Sequence, residues 1–409
     1  MPRILVLADD LSGAADCGIA FSRSGLAAVV SLSDGHAAAT GVAADVFVLD
    51  TNSRHLPPDA AAATNVRLAQ RYLRDDLLFY KKIDSTMRGN IAAELAALTP
   101  LAGLAIVAPA FPATGRVTRG GRVYVHSLPL EATEIRQSAQ LADIAAVLAR
   151  GGVRAARAGL DLVRGEPDAL RDALDRMARD GVAAVICDAE TETDLAAIAT
   201  ASARLARRHF CVGSAGLAHH LARASGIVAD TPPVVLRLRG PVLVAVGSLS
   251  EVSRVQAQHL ARDRGIVTLT VRPEALRQGE SSPDWRAIAT EFDHALQQEA
   301  DVLLTIGSGN TMPLEERWPL CSALGRLVAP FAVRLGGLLV TGGDTARGIL
   351  DALGVVGLRL TREIEPGVVL SVTESERPLP VVTKAGAFGG PATLAHCRAV
   401  LSGAGTAKS

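Results

Sequence analysis

The sequence predicts an α/β protein with two domains, each holding a mostly parallel sheet flanked by helices. The first observation is a pattern: short β-branched and aliphatic runs alternate with Ala-, Leu- and Arg-rich stretches of helical length, as in βα units around parallel sheets. The second is length, because 409 residues exceed what a single hydrophobic core usually covers. Ligands of such sheets bind beyond the carboxyl ends of the strands. We expect the active site in the cleft between the two domains.

Six short apolar runs mark the strands expected in the first half of the chain. They cover residues 4–8, 46–49, 78–82, 104–108, 183–187 and 210–212. Between them, residues 59–74 and 168–179 carry apolar side chains at three- and four-residue spacing, which is typical of amphipathic helices. The first half is therefore predicted to be a series of βα units.

A domain boundary is expected near residue 235. The segment TPPVVLRLRGP at residues 231–241 interrupts the helical rhythm with paired prolines and a Gly-Pro, as linkers do. This gives an N-terminal domain at residues 1–235 and a C-terminal domain at residues 236–409. Strands of the second domain are expected at residues 242–246, 301–306, 337–340 and 380–383.

Composition argues against several kinds of partner. Lys plus Arg and Asp plus Glu both number 42, so no net field draws the chain to nucleic acid or to an anionic membrane. Aromatic residues make up only 3%, too few for a surface of base-stacking rings, and no apolar run approaches a membrane span. The five cysteines form no CxxC pair, which argues against a zinc site or a disulfide framework. We expect a cytoplasmic protein without nucleic-acid or membrane partners.

Polar residues cluster directly after the predicted strands of the first half. The segment ADDLSGA at residues 8–14 places Asp9 and Asp10 at the first strand end. Adjacent carboxylates suit a hydroxyl-rich substrate, a magnesium ion or general-base chemistry, and the structural alternative is a helix cap. The GxGxxG pattern of a dinucleotide site is absent from this turn, which weakens an NAD-dependent dehydrogenase as an alternative.

The segment KKIDSTMRGN at residues 81–90 is the densest polar loop. This loop places side chains that can bind a carboxylate close to side chains that can accept hydrogen bonds from hydroxyl groups. The residues concerned are Lys82, Asp84, Ser85, Arg88 and Asn90. Loops after neighbouring strands add Arg54 in DTNSRH, and Arg116 and Thr118 in PAFPATGRVTRGG. This composition indicates a sugar acid as ligand, and the alternative is a solvated turn in which Asp84 or Ser85 caps a helix.

Three glycine-rich turns follow predicted strands in the second half: GSLS at residues 247–250, TGGDTA at 341–346 and KAGAFGG at 384–390. Each precedes an expected helix, so backbone N–H groups and a helix N-terminus can face phosphate oxygens. None is a Walker A sequence, and GSGN at 307–310 is a weaker candidate. These turns predict a nucleotide site. Asp344, beside a glycine pair, is expected to accept the substrate hydroxyl proton or to hold Mg²⁺, the alternative being a helix cap.

The ordered set of motifs resembles the four-carbon acid sugar kinases, a family formerly known only as a domain of unknown function. The resemblance rests on ADDLSGA, KKIDSTMRGN, PAFPATGR, GSLS, TGGDT and KAGAFG in this order, and it spans nearly the whole chain. It implies an N-terminal acid-sugar domain, a C-terminal nucleotide domain, and Mg²⁺-dependent transfer of phosphate from ATP to the terminal 4-hydroxyl of a tetronate. The form KKIDSTMRGN favours D-threonate, with D-erythronate and 3-oxo-tetronate as alternatives.

The resemblance also implies which residues contact each substrate. The residues expected to contact the acid are Asp9, Asp10, Arg54, Lys82, Asp84, Ser85 and Arg88. The residues expected to contact ATP are Ser248, Ser250, Gly342, Gly343, Asp344, Thr345, Gly386 and Gly389. Two departures are that Ser12 stands where the family often has Thr, and that Ala385 and Ala387 replace more polar residues. Asp344 and Asp10 are the catalytic candidates; we favour Asp344 for the phosphoryl-transfer step and Asp10 as a substrate ligand.

A non-catalytic sensor that binds a sugar acid and a nucleotide is the alternative of another class. It predicts ligand binding without release of ADP, and the concentration of polar residues at strand ends favours catalysis over it. The sequence assigns no metal ligands. It leaves the oligomeric state open, and a homo-oligomer is one of the states it allows.

Overall fold

The computed structural model describes residues 2–33, 44–133, 141–231, 240–248, 250–307 and 314–403. The chain divides into two compact units: the first comprises Met1–Val30 and Ala37–Thr231, and the second Ser31–His36 and Pro232–Ser409. The boundary expected near residue 235 lies outside the described residues. Each unit holds a mostly parallel set of strands flanked by helices, which confirms the predicted fold class. The expected position of the active site in a cleft stays a prediction.

The first unit is a run of βα units with one small antiparallel insertion. Its strands are β1 (Ile4–Ala8), β2 (Ala28–Ser31), β3 (Val46–Asp50), β4 (Leu78–Lys82), β5 (Leu104–Ala108), β6 (Arg116–Arg119), β7 (Arg122–Val125), β8 (Leu128–Pro129), β9 (Ala155–Ala158), β10 (Ala184–Cys187) and β11 (His209–Gly213). Its helices are α1 (Leu11–Ser22), α2 (Pro58–Tyr72), α3 (Ile91–Ala102), α4 (Ile144–Ala149), α5 (Leu160–Val163), α6 (Pro167–Arg179), α7 (Glu192–Ala203) and α8 (Ala215–Ala224). Strands β6 to β8 form the separate antiparallel sheet.

The main strands of the first unit follow the order β2-β3-β1-β4-β11-β5-β10-β9. Every pair from β3 to β9 in that order is parallel, and Ala8 at the end of β1 lies beside Lys82 at the end of β4. The chain places β3 on one side of β1 and β4 on the other, so the strand order reverses between β1 and β4. Such a reversal opens a crevice at the carboxyl ends of the two strands. The loops that follow β1 and β4 begin there.

Continuous apolar runs build the core of this sheet. Strands β1, β3 and β5 are buried along their whole length, as expected for a parallel sheet covered on both faces. The structure confirms the six strands predicted in this half, and β1, β4 and β5 have the predicted bounds. It also confirms the two predicted helices as α2 and α6. Strands β2 and β9 were not predicted; both are short, and β9 is partly exposed.

The second unit combines a parallel sheet with an antiparallel edge. Its strands are β12 (Val242–Val246), β13 (Ile266–Val271), β14 (Asp301–Ile306), β15 (Gly337–Thr341), β16 (Gly357–Glu365), β17 (Val368–Thr373) and β18 (Pro380–Lys384). Its helices are α9 (Glu251–Leu260), α10 (Pro273–Gln278), α11 (Pro283–Gln297), α12 (Leu314–Val328), α13 (Gly343–Ala352) and α14 (Thr393–Leu401).

The strand order of the second unit is β13-β14-β12-β15-β18-β17-β16. The first five strands pair in parallel, whereas β17 pairs antiparallel with both of its neighbours. The run β13-β14-β12-β15 repeats the run β2-β3-β1-β4 of the first unit, so a second reversal lies between β12 and β15. The glycine-rich turns follow β12, β15 and β18, which brings them to one end of three neighbouring strands.

Two general properties of the chain complete the description. Within the residues that the structure describes, every helix is too short or too polar to serve as a membrane span. All five cysteines are free thiols in buried positions. Burial raises the pKa of each thiol, to about 12 for Cys211 and Cys397 and to about 11 for Cys321.

Candidate active site

Arg54 joins the two aspartates that follow β1. Its Nε donates to Asp9 Oδ2 at 2.8 Å and its Nη2 to Asp9 Oδ1 at 2.9 Å, while Nη1 donates to Asp10 Oδ2 at 2.6 Å. The second oxygen of Asp10 accepts the Gly13 N–H at 2.9 Å and so caps α1. Asp10 therefore caps α1 and forms an ion pair with Arg54 at the same time. The planar guanidinium of Arg54 fixes the carboxylates of both Asp9 and Asp10.

Arg88 makes the same kind of fork on Asp84. Its Nε and Nη2 donate to the two carboxylate oxygens at 2.9 Å and 2.7 Å. Asp84 also accepts the Thr86 N–H at 3.0 Å and the Thr86 hydroxyl. Helix α3 begins only at Ile91, so neither Asp84 nor Ser85 caps it. The alternative of a capping turn is therefore wrong for this loop.

Two contacts tie neighbouring loops to this cluster. Arg116, which begins β6, donates to Ser85 Oγ at 3.2 Å. Asn90 Nδ2 donates to the Ser53 carbonyl at 2.9 Å, next to Arg54 in the chain. Thr118, the other candidate of the Arg116 loop, is buried. The structure thus brings together residues of three separate loops that the sequence predicts to contact the acid.

The charges of the cluster shift the pKa values of its aspartates in different directions. Burial would raise the pKa of Asp9, but Arg54, helped by Lys81 and Lys82, holds it below its usual value. Burial raises the pKa of Asp10, and Arg54 only partly offsets that rise because the charge of Asp9 adds to it. For Asp84, burial is outweighed by Arg88 and Arg54, which hold its pKa well below the usual range. Asp9 and Asp84 are therefore ionised hydrogen-bond acceptors at neutral pH.

The two lysines at the end of β4 point to opposite faces of the sheet, as adjacent strand residues do. Lys81 is fully buried, and its Nζ lies 2.9 Å from Glu94 Oε2 on α3. Lys82 is 5% exposed and points toward the start of α1, where a Cβ built on Gly13 would lie 2.7 Å from the Lys82 Nζ and 2.6 Å from Asp10 Oδ1. Glycine is required there, because a side chain would displace one of the two charged groups.

A buried polar network lies beneath the cluster, on the Lys81 face. Glu94 Oε1 accepts the Ser53 hydroxyl at 2.5 Å and the Asn65 amide at 3.1 Å, and the Thr51 and Ser53 hydroxyls lie 2.7 Å apart. This network joins β4, α2 and α3 to the segment that precedes Arg54. Sequence reasoning missed it, because nothing local to Glu94 distinguishes it from an ordinary helix-surface carboxylate.

In the second unit, serine hydroxyls join the first and third glycine-rich turns. Ser250 Oγ donates to the Gly386 carbonyl at 2.7 Å and accepts the Ser253 N–H at 3.1 Å, which caps α9. The Ser248 and Ser250 hydroxyls lie 3.3 Å apart. A side chain on Gly386 would collide with the Ser248 hydroxyl, so the close approach of the two turns requires glycine. Leu249 of the first turn, and residues 308–310 of the weaker GSGN candidate, lie outside the described residues.

The second turn sets the start of α13. Gly342 has φ +90°, a value that favours glycine, and its N–H donates to the Lys384 carbonyl at 2.8 Å. Helix α13 starts at Gly343, and Asp344 stands in its first turn. Gly342 is the N-cap and Asp344 is not, so the capping alternative for Asp344 is wrong. Its half-buried carboxylate stands beside the helix N-terminus, where oriented amides favour anions.

Two residues expected to contact ATP pack within the turns. Thr345 is buried, its hydroxyl lies 3.5 Å from Cys321 Sγ, and its Cγ2 would lie 2.8 Å from a Cβ on Gly247. Gly389 has φ +84°, and a Cβ there would lie 2.9 Å from the Thr393 Cβ and closer still to the Thr393 hydroxyl oxygen. Both positions therefore support the packing of the turns in this structure. Direct contact of these two residues with a nucleotide stays a prediction.

Lys384 is a functional candidate that sequence reasoning missed. The side chain is fully buried, and its Nζ donates to the carbonyls of Ala385 at 2.9 Å, Gly386 at 3.2 Å and Phe388 at 3.0 Å. Because the described peptide bonds are trans, the N–H groups that share these peptide units point away from the ammonium. Burial lowers the pKa of Lys384 to about 8. The available signal was its rarity, since the chain has only four lysines.

Comparison with known proteins identifies the family. Residues 4–221 match the family model described as a sugar-binding N-terminal domain, and residues 243–394 match that of a nucleotide-binding C-terminal domain. Over 399 residues the chain is 46% identical to the D-threonate kinase of Cupriavidus necator, with 96% of each chain covered. The chain belongs to the four-carbon acid sugar kinase family. It is an enzyme, a phosphotransferase.

Other relatives of this kinase carry either the same substrate name or a different one. A D-threonate kinase of Salmonella typhimurium is 33% identical and a D-erythronate kinase of Heliobacterium modesticaldum is 28% identical, each over at least 96% of both chains. A solved structure described as a putative tRNA synthase from Salmonella typhimurium aligns with a TM-score of 0.77 at 22% identity, covering 98% of both chains. At that identity the likeness shows the fold alone.

Proposed function

We propose that this kinase transfers the γ-phosphate of ATP to the terminal 4-hydroxyl of D-threonate. The observation that carries the choice of acid is the 46% identity, over 96% of the chain, to a protein named D-threonate kinase. D-erythronate and 3-oxo-tetronate are the alternatives, because relatives at 28% and 30% identity carry those names.

The charge cluster of the first unit supports a sugar acid as the acceptor substrate. Its three aspartates, Asp9, Asp10 and Asp84, offer oxygens that accept hydrogen bonds from hydroxyl groups. Four cations, Arg54, Lys82, Arg88 and Arg116, surround them. A ligand with one carboxylate and several hydroxyls matches both kinds of group.

The turns of the second unit support ATP as the phosphoryl donor. Lys384 binds the carbonyl oxygens of the third glycine-rich turn, so the N–H groups of the same peptide units point away from the lysine. N–H groups in this arrangement can donate hydrogen bonds to phosphate oxygens. Within the described parts of the chain, no group of three or more His, Cys, Asp or Glu side chains forms a metal cage. Magnesium usually needs only one or two protein carboxylates besides substrate phosphates, and Asp344 fits that requirement. Bound Mg²⁺ would neutralise charge on the transferred phosphoryl group.

In the proposed reaction, the 4-hydroxyl oxygen bonds to the γ-phosphorus while the bond from that phosphorus to the β,γ-bridging oxygen breaks, releasing ADP. We assign acceptance of the hydroxyl proton to Asp344, whose carboxylate stands beside the oriented amides of the α13 N-terminus. Gly13 and Arg54 already hold the two oxygens of Asp10 in place. We therefore assign Asp10 as a substrate ligand and not as the acceptor of the hydroxyl proton. Positioning and charge stabilisation then supply most of the rate enhancement.

A substrate panel tests this function. The purified chain is assayed for ADP release with ATP, Mg²⁺ and each of D-threonate, D-erythronate, 3-oxo-tetronate and, as a stereochemical control, L-threonate. We expect the highest kcat/KM with D-threonate and a 4-phosphate as product by NMR. Turnover with none of the four-carbon acids would overturn the proposal, and binding without ADP release would favour the sensor instead. A homo-oligomer and a cytoplasmic location stay predictions, which light scattering and cell fractionation would test.

A further inference from the structure

We propose that the third glycine-rich turn is a monovalent-cation site that the chain fills with its own ammonium, that of Lys384. The enzyme then needs no K⁺ at this turn, and truncating the side chain opens the site to a cation from solution. The inference rests on the proposed function, because this turn is expected to bind the phosphates of ATP.

Backbone carbonyls surround the buried ammonium of Lys384. Its Nζ donates to the carbonyl oxygens of Ala385, Gly386 and Phe388 at 2.9–3.2 Å, so each of its three N–H groups has an acceptor. Among the described residues no carboxylate forms an ion pair with it, and Glu365 acts on it only from a longer distance. K⁺ channels bind their ion in the same way, with backbone carbonyl oxygens in place of its hydration shell. The surroundings of Nζ are thus those of a dehydrated monovalent cation.

Neutral donors also hold two of the three carbonyls. The Gly386 carbonyl accepts the hydroxyls of Ser250 at 2.7 Å and Ser253 at 2.9 Å. The Phe388 carbonyl accepts the side-chain amide of Gln256 at 3.0 Å. These donors belong to α9 and its N-cap, and their bonds do not involve the ammonium. They should keep both oxygens pointing inward when the ammonium is removed, so the carbonyl cage remains ready for another cation.

The same peptide units present N–H groups on the outer side of the turn. The N–H groups of Gly386, Ala387 and Gly389 share peptide units with the three carbonyls. Within the part of the chain that the structure describes, none of them donates to a protein acceptor, and all three residues are half-buried or exposed. A cation on the inner side stabilises the orientation in which these N–H groups can meet an anion. Lys384 is therefore a positioning residue for the amides of the turn.

The length of the lysine side chain defines the test ligand. Lys384→Ala keeps Cβ and removes Cγ, Cδ, Cε and Nζ, which correspond to the heavy atoms of propylammonium. That ligand restores both the ammonium and the apolar stem, and cavities left by truncation bind small molecules of matching shape. K⁺ restores only the charge inside the carbonyl cage, and Na⁺ is smaller than the ammonium it would replace. We therefore expect propylammonium to bind best, K⁺ less well and Na⁺ least.

Dissociation constants of ATP are measured by calorimetry for the full-length wild-type chain and for Lys384→Ala, in propylammonium, potassium or sodium chloride at equal ionic strength. In sodium chloride, we expect Lys384→Ala to weaken ATP by about 10- to 100-fold, the range of a lost charge-assisted hydrogen bond. Propylammonium should restore the constant to within about threefold of the wild type, whose own value should be the same in all three salts. In steady-state assays, KM for ATP should follow these changes while KM for D-threonate stays constant.

Three further variants and one neutral ligand are the controls. Lys384→Met fills the stem of the cavity, so propylammonium should restore nothing. Lys384→Ser keeps an atom at the γ position, so the best ligand should shorten to ethylammonium; this variant also replaces Lys384→Ala if that chain does not fold. Ser253→Ala removes a neutral donor to the same cage, and its ATP affinity should not depend on the salt. Propan-1-ol fills the stem without a charge and should not rescue Lys384→Ala.

Urea unfolding followed by tryptophan fluorescence gives a readout that does not depend on ATP, because both tryptophans lie in the second unit. A cation that binds the folded state alone raises the midpoint as its concentration rises. Propylammonium should raise the midpoint of Lys384→Ala and leave those of the wild type and Lys384→Met unchanged.

The outcomes separate this inference from the proposed function. A wild-type chain that phosphorylates no four-carbon acid would overturn the proposed function, and the urea midpoints would still test the cation site. With an active wild type, normal ATP binding by Lys384→Ala, or a loss that propylammonium does not reverse, would overturn the cation site alone. A wild type that needs K⁺ to bind ATP would also overturn it, because the site would then not be filled by the lysine.

Discussion

Replacing Lys81 by methionine should destabilise the first unit by about 3–5 kcal/mol, because it leaves Glu94 charged in the core. The Nζ and Oε2 atoms of the pair lie 2.9 Å apart, and the two side chains are 0% and 1% exposed. With an effective dielectric constant of about 20, the attraction at this distance is about 6 kcal/mol, much of which offsets the desolvation of the two ions. Truncating one partner removes the attraction and leaves the other ion desolvated.

A double-mutant cycle isolates the pair. Glu94→Gln should be similarly destabilising, since it leaves the Lys81 ammonium unpaired while keeping an oxygen for Ser53 and Asn65. The free energy of unfolding of the double variant should fall by less than the sum of the decreases in the two single variants, and the difference should be about 1–3 kcal/mol. The same cycle on Arg179 and Asp175, an exposed pair with an N–O distance of 3.0 Å, is the matched control and should show no measurable coupling.

Urea unfolding measures these losses, with separate probes for the two units because a chain of two units need not unfold in one step. Hydrogen exchange of peptides from β1, β4 and α3 reports on the first unit. Both tryptophans, Trp285 and Trp318, lie in the second unit, so the midpoint of tryptophan fluorescence should not move. A loss below about 1 kcal/mol for Lys81→Met, or an additive cycle, would refute the reasoning. Either result would mean that water or a proton reaches Glu94 in the folded state.

The remaining predictions concern the second unit. Asp344→Asn should lower kcat by about 10²- to 10⁴-fold, the usual contribution of a general base, with little change in D-threonate binding by calorimetry; retained turnover would remove Asp344 as the base. Gly247→Ala should destabilise by about 1–3 kcal/mol, because the added methyl collides with Thr345; Gly390→Ala is the control, since a Cβ there meets nothing within 4 Å, and equal urea midpoints for the two variants would contradict the argument. Lys384, with a pKa of about 8, loses its proton and a donor as pH rises through that value, so KM for ATP should increase between about pH 7 and pH 9. Lys384→Met should start from a higher KM for ATP and show no such increase; a pH profile like that of the wild type would contradict the role of this lysine.

The strands could be predicted from sequence where they are buried on both faces. The runs that became β1, β5 and β12 are continuously apolar, because helices cover both sides of a parallel sheet. Strand β13 mixes buried, partly buried and exposed positions and was not recognised. The hairpin of β16 and β17 was missed too, because its pairing is antiparallel and does not follow the βα rhythm.

The candidate site could be predicted as a set of residue types, but not as a set of pairs. Strand ends identified the loops that carry Asp10, Arg54 and Asp84, because such loops meet at a strand-order reversal. Which cation pairs with which carboxylate depends on side-chain directions that no local pattern encodes. Lys384 was missed for a related reason. Its ammonium donates to carbonyl oxygens of the loop that follows it, and this arrangement depends on the folded conformation of that loop.

The opposite directions of Lys81 and Lys82 fix the alignment of β4. In the native pairing, these lysines stand beside Leu7 and Ala8 of β1. A slip of one residue would turn Lys81 to the crevice side and drive Lys82 into the core, because side chains alternate along a strand. A misaligned sheet would lose both the buried ion pair of Lys81 and the cation that Lys82 places at the crevice, so we expect no slipped form to be both stable and active. Insertions and deletions among relatives should therefore fall in the loops around β4 and spare the strand itself.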